Sequence, residues 1–88
     1  MLHHSAPQAG ILELDIHGMT KQQAKIYLEN QIRRAGGSVY RIRVIHGYRG
    51  GNALRDMVRK DLIKNRKVLR IELGLNPGET DLILRELF

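Results

Sequence analysis

Three short runs of this sequence hold residues suited to phosphodiester chemistry. In Leu14-Asp15-Ile16-His17-Gly18 a carboxylate and an imidazole stand two positions apart, so on a strand they project from the same face. Asp15 is thereby placed to orient the His17 ring or to help hold a divalent cation such as Mg²⁺ or Mn²⁺. The second run, Val44-Ile45-His46-Gly47, ends on another imidazole. Imidazoles titrate near neutrality, so a histidine pair at one rim suits proton transfer, with His17 as base or acid and His46 as its complement. A plainer alternative stays open at this stage. A histidine before a glycine is commonly a loop residue bonded to backbone, and Asp15 can simply accept hydrogen bonds from the turn at Gly18.

The third run, Gly47-Tyr48-Arg49-Gly50-Gly51-Asn52, reads as a cradle for a backbone phosphate. Glycines free main-chain amides to face an anion, the start of a helix behind Asn52 adds partial positive charge, and Arg49 can fork onto phosphate oxygens. No Lys-Ser or Lys-Thr follows, which excludes a Walker loop, and the glycine spacing is not a dinucleotide fingerprint. Tyr48 is placed either to stack on an exposed base or to cover the edge of a sheet.

The elements that must position these runs follow from periodicity. Ile11 to His17 alternates, with Leu12, Leu14 and Ile16 on one side, which predicts a strand with one buried face. Thr20 followed by Gln23 is a capping-box signature for a helix running to about Ala35, packed by Ala24, Leu28, Ile32 and Ala35 and stopped by left-handed glycines at Gly36 and Gly37. A second alternating strand spans Val39 to Ile45 and sets Arg41 and Arg43 on its outer face. Asn52 is expected to cap a helix buried through Ala53, Leu54, Met57, Val58 and Leu62, with Arg55 on its outer side. Lys67 to Leu73 predicts a third strand with Leu69, Ile71 and Leu73 inward. After a turn at Gly74 to Glu79, a last strand covers Asp81 to Leu87, with the phase of Leu82, Ile83 and Leu84 left open.

The expected fold is therefore an α/β two-layer sandwich: a βαβαββ mixed four-stranded sheet with both helices on one face. Strands covered on both faces would show unbroken apolar runs, which these do not. The open face is expected to carry Glu13, Asp15, His17, Arg41, Arg43, Arg70 and Glu72.

Composition narrows the partners. Fifteen Lys and Arg residues against nine Asp and Glu give a formal net charge of +6, and Arg33 to Arg70 holds twelve of those cations with only Asp56 and Asp61 opposing them. Such a local excess attracts polyanions, although charged helix faces are often merely solvated. The sequence of 88 residues contains no cysteine, which excludes disulfides and thiolate zinc sites and makes cytoplasm the expected location. No apolar stretch approaches the roughly 18 residues of a membrane span, so no membrane partner is expected. Residues 1–10 read as a disordered leader before a domain at 11–88, and His3 and His4 within it are not read as a metal site.

These motifs, in this order, make the chain resemble the Smr (small MutS-related) domain family from Leu12 to Leu84. A Leu-Asp-hydrophobic-His-Gly strand end stands as Leu14 to Gly18, and a His-Gly loop followed by Ala-Leu-Arg stands as His46, Gly47, Ala53, Leu54 and Arg55. Arg49 occupies the place of that motif's second glycine, and the loop is one residue longer. The resemblance implies a fold similar to the C-terminal domain of bacterial translation initiation factor three. It also implies binding of DNA or RNA and, in several members, endonuclease activity linked to the residues that are Asp15 and His17 here, with the His46 loop taking part in binding or cutting.

The leading expectation is an endonuclease on RNA or structured DNA, gripping phosphates through Arg49, the amides around Gly47, Gly50, Gly51 and Asn52, and Arg41, Arg43 and Arg55. Divalent cations are expected at most as an aid, because no dense carboxylate cluster supports a two-metal site. The competing expectation is a non-catalytic nucleic-acid or ribosome-associated module using the same basic surface. A third is a protein-interaction domain pairing through its open sheet face or through a final edge strand ending at Leu87 and Phe88.

Overall fold

A computed structural model describes residues 10–49 and 51–86; the leader up to position 9, Gly50, Leu87 and Phe88 lie outside the described residues. The order is β1 (Ile11–Asp15), α1 (Lys21–Arg34), β2 (Arg41–Ile45), α2 (Ala53–Asp56), β3 (Arg70–Glu72) and β4 (Glu79–Ile83). Beyond α2 the chain stays helical but changes winding, through a π-helical segment Met57–Asp61 and a 3-10 turn Leu62–Lys64. The four strands form one mixed sheet in the order β1-β2-β4-β3, with β1 and β2 parallel and the other two pairings antiparallel. This is the expected α/β sandwich.

Strand alternation becomes a core through the register. Leu12, Ile42, Leu82 and Ile71 form one row across the sheet, and Leu14, Val44 and Thr80 form the next. That face meets Ala24, Leu28 and Ile32 of α1 and Met57, Val58 and Leu62 of the second helical stretch, all buried. Each of these Leu, Ile, Val and Met side chains contributes about 1.5–3 kcal/mol when removed from water, which a domain this small needs in full.

The capping box forms as expected: Gln23 N–H donates to Thr20 Oγ1 at 3.1 Å and Thr20 N–H to Gln23 Oε1 at 3.2 Å. Thr20→Ala should cost about 1 kcal/mol. Urea denaturation checks this, and an unchanged midpoint would show that the box contributes nothing.

Several boundaries differ from expectation. The α1 terminus carries no left-handed glycine: Ala35 is extended, and Gly36 and Gly37 are absent from the glycines with positive φ. The Lys67 ammonium instead donates to Ile32 O and Arg33 O at 3.2 Å each, satisfying terminal carbonyls and opposing the negative end of the helix dipole. Asn52 makes no side-chain cap; only its carbonyl accepts, from Asp56 N–H at 2.8 Å. β3, at the sheet edge, is shorter than expected, and Leu69 and Leu73, which flank it, are exposed and do not join the core as expected.

The last strand starts earlier, at Glu79, and lies inside the sheet between β2 and β3, so among the described residues it is not an edge strand and the edges are β1 and β3; Leu87 and Phe88 lie outside the described residues. Its phase is now plain. Thr80 and Leu82 face the helices, while Asp81 and Ile83 face the open side, Ile83 standing in register between Arg41 and Arg70 at 2% exposure. No helix among the described residues is long and apolar enough to cross a membrane.

Candidate nucleic-acid site

Parallel pairing of β1 and β2 brings both histidine motifs to one end of the sheet. Asp15 stands opposite Ile45, and Ile16 N–H continues the ladder to Ile45 O at 2.9 Å. One residue further, Gly47 passes so close to His17 that a Cβ on it would stand 3.7 Å from His17 Cβ. The two strand ends therefore converge as expected.

Asp15 and His17 form a compact pair. Asp15 Oδ1 accepts from His17 N–H at 3.0 Å and contacts His17 Nδ1 at 2.5 Å, while the His17 side chain is 70% exposed. A carboxylate at Nδ1 holds the proton there and leaves Nε2 as the free basic nitrogen. Asp15 thus contacts the His17 ring and also accepts a backbone N–H from the turn at His17–Gly18, so the plainer alternative holds alongside the ring contact.

His46 has a different place. It is buried, and both ring nitrogens are engaged: Nδ1 donates to Gly47 O at 2.7 Å, so Nε2 accepts from the Thr80 hydroxyl at 2.9 Å. Thr80 Oγ1 in turn accepts from Arg59 Nε at 3.0 Å, out of the wide π-helical turn. The ring that was expected to complement His17 is held inside the molecule as a neutral group, and its backbone contact is the plainer alternative that the motif also allowed. Thr80, Arg59 and Gly78 are the participants that motif reading missed.

Gly78 ties this end together through close approach. Its carbonyl accepts from His46 N–H at 2.9 Å and Gly47 N–H at 3.0 Å, and a Cβ there would stand 3.3 Å from both Gly47 Cα and Tyr48 Cδ1. Gly47 itself has φ +77, in the left-handed region that glycine adopts without a steric penalty.

Burial lowers the His46 pKa from its ordinary value; the Gly47 carbonyl opposes the shift, and the charges of Arg59 and Arg55 add to it. A histidine depressed in the folded state gives up stability as pH falls. Above the unfolded value near 6.5 both states are neutral; below it the unfolded chain takes a proton that the native chain refuses. Stability should fall between pH 7.5 and 5.0 with a His46 component of at most about 1.4 kcal/mol per pH unit. Urea midpoints across that range should show this component missing from His46→Gln. An equal pH slope in both proteins would count against it.

Between the two strand ends and the starts of α1 and α2 lies a pocket of 680 Å³. His17, Lys21, Tyr48, Arg49 and Gly51 border it, with Met19, Ile45 and Leu54 among its walls; buried His46 and Gly47 line it too, so both histidine motifs meet at this pocket. The Arg49 guanidinium stands 5.9 Å from the Tyr48 ring centroid, and both side chains are exposed. Asn52 and Arg55 do not line it; Arg55 pairs with Asp56 at 3.3 Å. Gly50, expected in the cradle, lies outside the described residues.

Arg41 and Arg43 are engaged elsewhere, on the open sheet face. Arg41 reaches Asp81 at 2.6 Å and Glu72 at 2.8 Å, Arg43 reaches Asp81 at 3.0 Å, and Arg70 links Glu72 to Glu86. Hydrogen bonds from Arg41 and then Arg70 hold the Glu72 carboxyl below its usual range. Charge is thereby segregated by layer. The strands and the segment after β4 carry Arg41, Arg43, Arg70 and Arg85 against six acids, whereas the helices and loops carry the other eleven cations against Glu29, Asp56 and Asp61. The positive surface is the helical layer and its loops.

A divalent cation has no prepared cage here. Among the described residues no three His, Asp or Glu side chains gather as ligands, and Asp15 Oδ1 is already taken up by His17.

Comparison with known proteins agrees with this architecture. The profile of the Smr domain matches residues 14–78. The crystal structure of the Smr domain of Thermus thermophilus MutS2 superposes with a TM-score of 0.73 at 26% identity, covering 84% of this chain and 98% of that one. No curated protein matches the sequence.

Proposed function

This chain belongs to the Smr domain family, and from that premise we propose that it binds RNA or DNA over its helical layer and cuts one strand at the His17 pocket. The observation that carries the reading is the exposed Asp15–His17 pair at the mouth of a cation-bordered pocket. In the cleavage step the attacking oxygen, from water or a ribose hydroxyl, gives its proton to His17 Nε2 as the new P–O bond forms. The bond to the leaving oxygen breaks, and that oxygen takes a proton from the imidazolium or from water. Asp15 stabilises the imidazolium and fixes the ring. Arg49 and Lys21 offset phosphate charge.

His46 serves in this reading as a positioning residue that locks Gly47 against β4 through Thr80. A divalent cation such as Mg²⁺ or Mn²⁺ would add charge stabilisation at the phosphate, and its addition is a variable of the assay. A cysteine-free sequence fits a cytoplasmic setting.

A second reading is a binding module without turnover, on free or ribosomal RNA. The engagement of both His46 ring nitrogens favours it, because the second imidazole lining the pocket has no free nitrogen to exchange a proton with a substrate. Labelled RNA and DNA, single- and double-stranded, incubated with Mg²⁺, Mn²⁺ or EDTA decide between them. Cutting supports the first reading, binding without cutting supports the second, and absence of binding overturns both.

A further inference from the structure

We infer that the pocket beside His17 receives one unstacked nucleobase, so that the substrate is a single strand or an unpaired loop and not continuous duplex. The inference rests on the nucleic-acid role proposed above and names its substrate class. At 680 Å³ the pocket lies within the roughly 300–1,000 Å³ of small-molecule sites, ample for a base and its sugar. Its walls suit a flat apolar ring: Met19 and Leu54 line it, and Tyr48, 58% exposed, presents an aromatic ring to it.

Tyr48 is also held in place. Its ring lies against the Gly78 backbone, where a Cβ would come within 3.3 Å of Cδ1, and the Arg49 guanidinium stands 5.9 Å from its centroid. A fixed aromatic beside an arginine is a stacking platform for a base whose phosphate meets the cations at the rim. Lys21, Arg49 and the His17 ring border the same mouth, so a base seated inside brings its own phosphodiester to the imidazole. In a duplex each base is stacked and paired, and none can enter without being flipped out. Because π-faces are common to all bases and the named walls are apolar, stacking here is sequence-tolerant.

The test is fluorescence anisotropy at constant salt on a single strand, its blunt duplex and a hairpin with an unpaired loop, for wild type, Tyr48→Ala and Tyr48→Phe. The single strand and the hairpin loop are expected to bind at least about 10-fold more tightly than the duplex. Tyr48→Ala should weaken those two about 5-fold or more, the low end of base–aromatic stacking, and leave the duplex unchanged, while Tyr48→Phe keeps wild-type affinity. A strand with 2-aminopurine adds a direct readout: its emission changes on binding to wild type and not to Tyr48→Ala. Equal affinity for duplex and single strand, or equal weakening of both by Tyr48→Ala, overturns the base pocket while leaving the nucleic-acid role intact. Failure of every polynucleotide to bind overturns that role, and the pocket assignment with it.

Discussion

His17→Ala is expected to slow strand cleavage by about 10²–10⁴-fold, the usual contribution of a general acid–base group, with affinity for the same strand within about threefold of wild type. The separation of the two effects follows from where His17 stands. Its side chain is 70% exposed, and its ring bonds only to Asp15 among the described residues, so removal leaves no buried polar group unpaired. Asp15→Ala should lose less, because the imidazole remains but its ring and tautomer are no longer fixed. The double variant should be no slower than His17→Ala, since the two residues act as one unit. Single-turnover kinetics with anisotropy on the same oligonucleotide measures both quantities. Cleavage by His17→Ala at the wild-type rate would remove the histidine from the chemistry.

The contrast between the two histidines shows how much of the site was legible beforehand. Asp15 and His17 interact within three residues of one strand end, so spacing and alternation suffice to place them together. His46 sits in an equally plain motif, yet its environment is set by Thr80, 34 positions away in sequence, and by Arg59 across a change of helical winding. Neither partner follows a local pattern. The decisive unknown was the position of the last strand. Once β4 enters the middle of the sheet, Thr80 meets His46 and Asp81 meets Arg43. Pairing across the sheet is a long-range choice that periodicity does not encode, whereas the alternation that yielded the layers and the core is local.

The same strand placement inverts the reading of the basic tract. Along the chain Arg41 and Arg43 belong to a run of cations; in the fold they face Asp81, whose side chain is 11% exposed, and Glu72. Their removal should therefore register as lost stability and not as lost binding. Arg41→Gln with Arg43→Gln is expected to cost about 1–3 kcal/mol, the penalty for leaving a largely buried carboxylate without partners. Adding Asp81→Asn should restore part of it, because the stranded charge is then gone. Nucleic-acid affinity in the double variant should stay within about threefold.

Neutralising the helical layer should do the opposite. Lys21→Gln, Lys25→Gln and Arg49→Gln together remove three cations from exposed or half-exposed positions that hold up no described ion pair. Each phosphate contact on a single strand contributes about 0.7 to the slope of log affinity against log salt. The triple variant should flatten that slope by about two and bind about 100-fold more weakly at 0.1 M salt, with its urea midpoint nearly unchanged. Because each variant lowers one observable and spares the other, a salt titration and a denaturation curve on each locate the polyanion. A flattened slope in the Arg41 and Arg43 variant, with the helical variant at wild-type affinity, would put the nucleic acid on the sheet and leave the His17 pocket facing away from its strand.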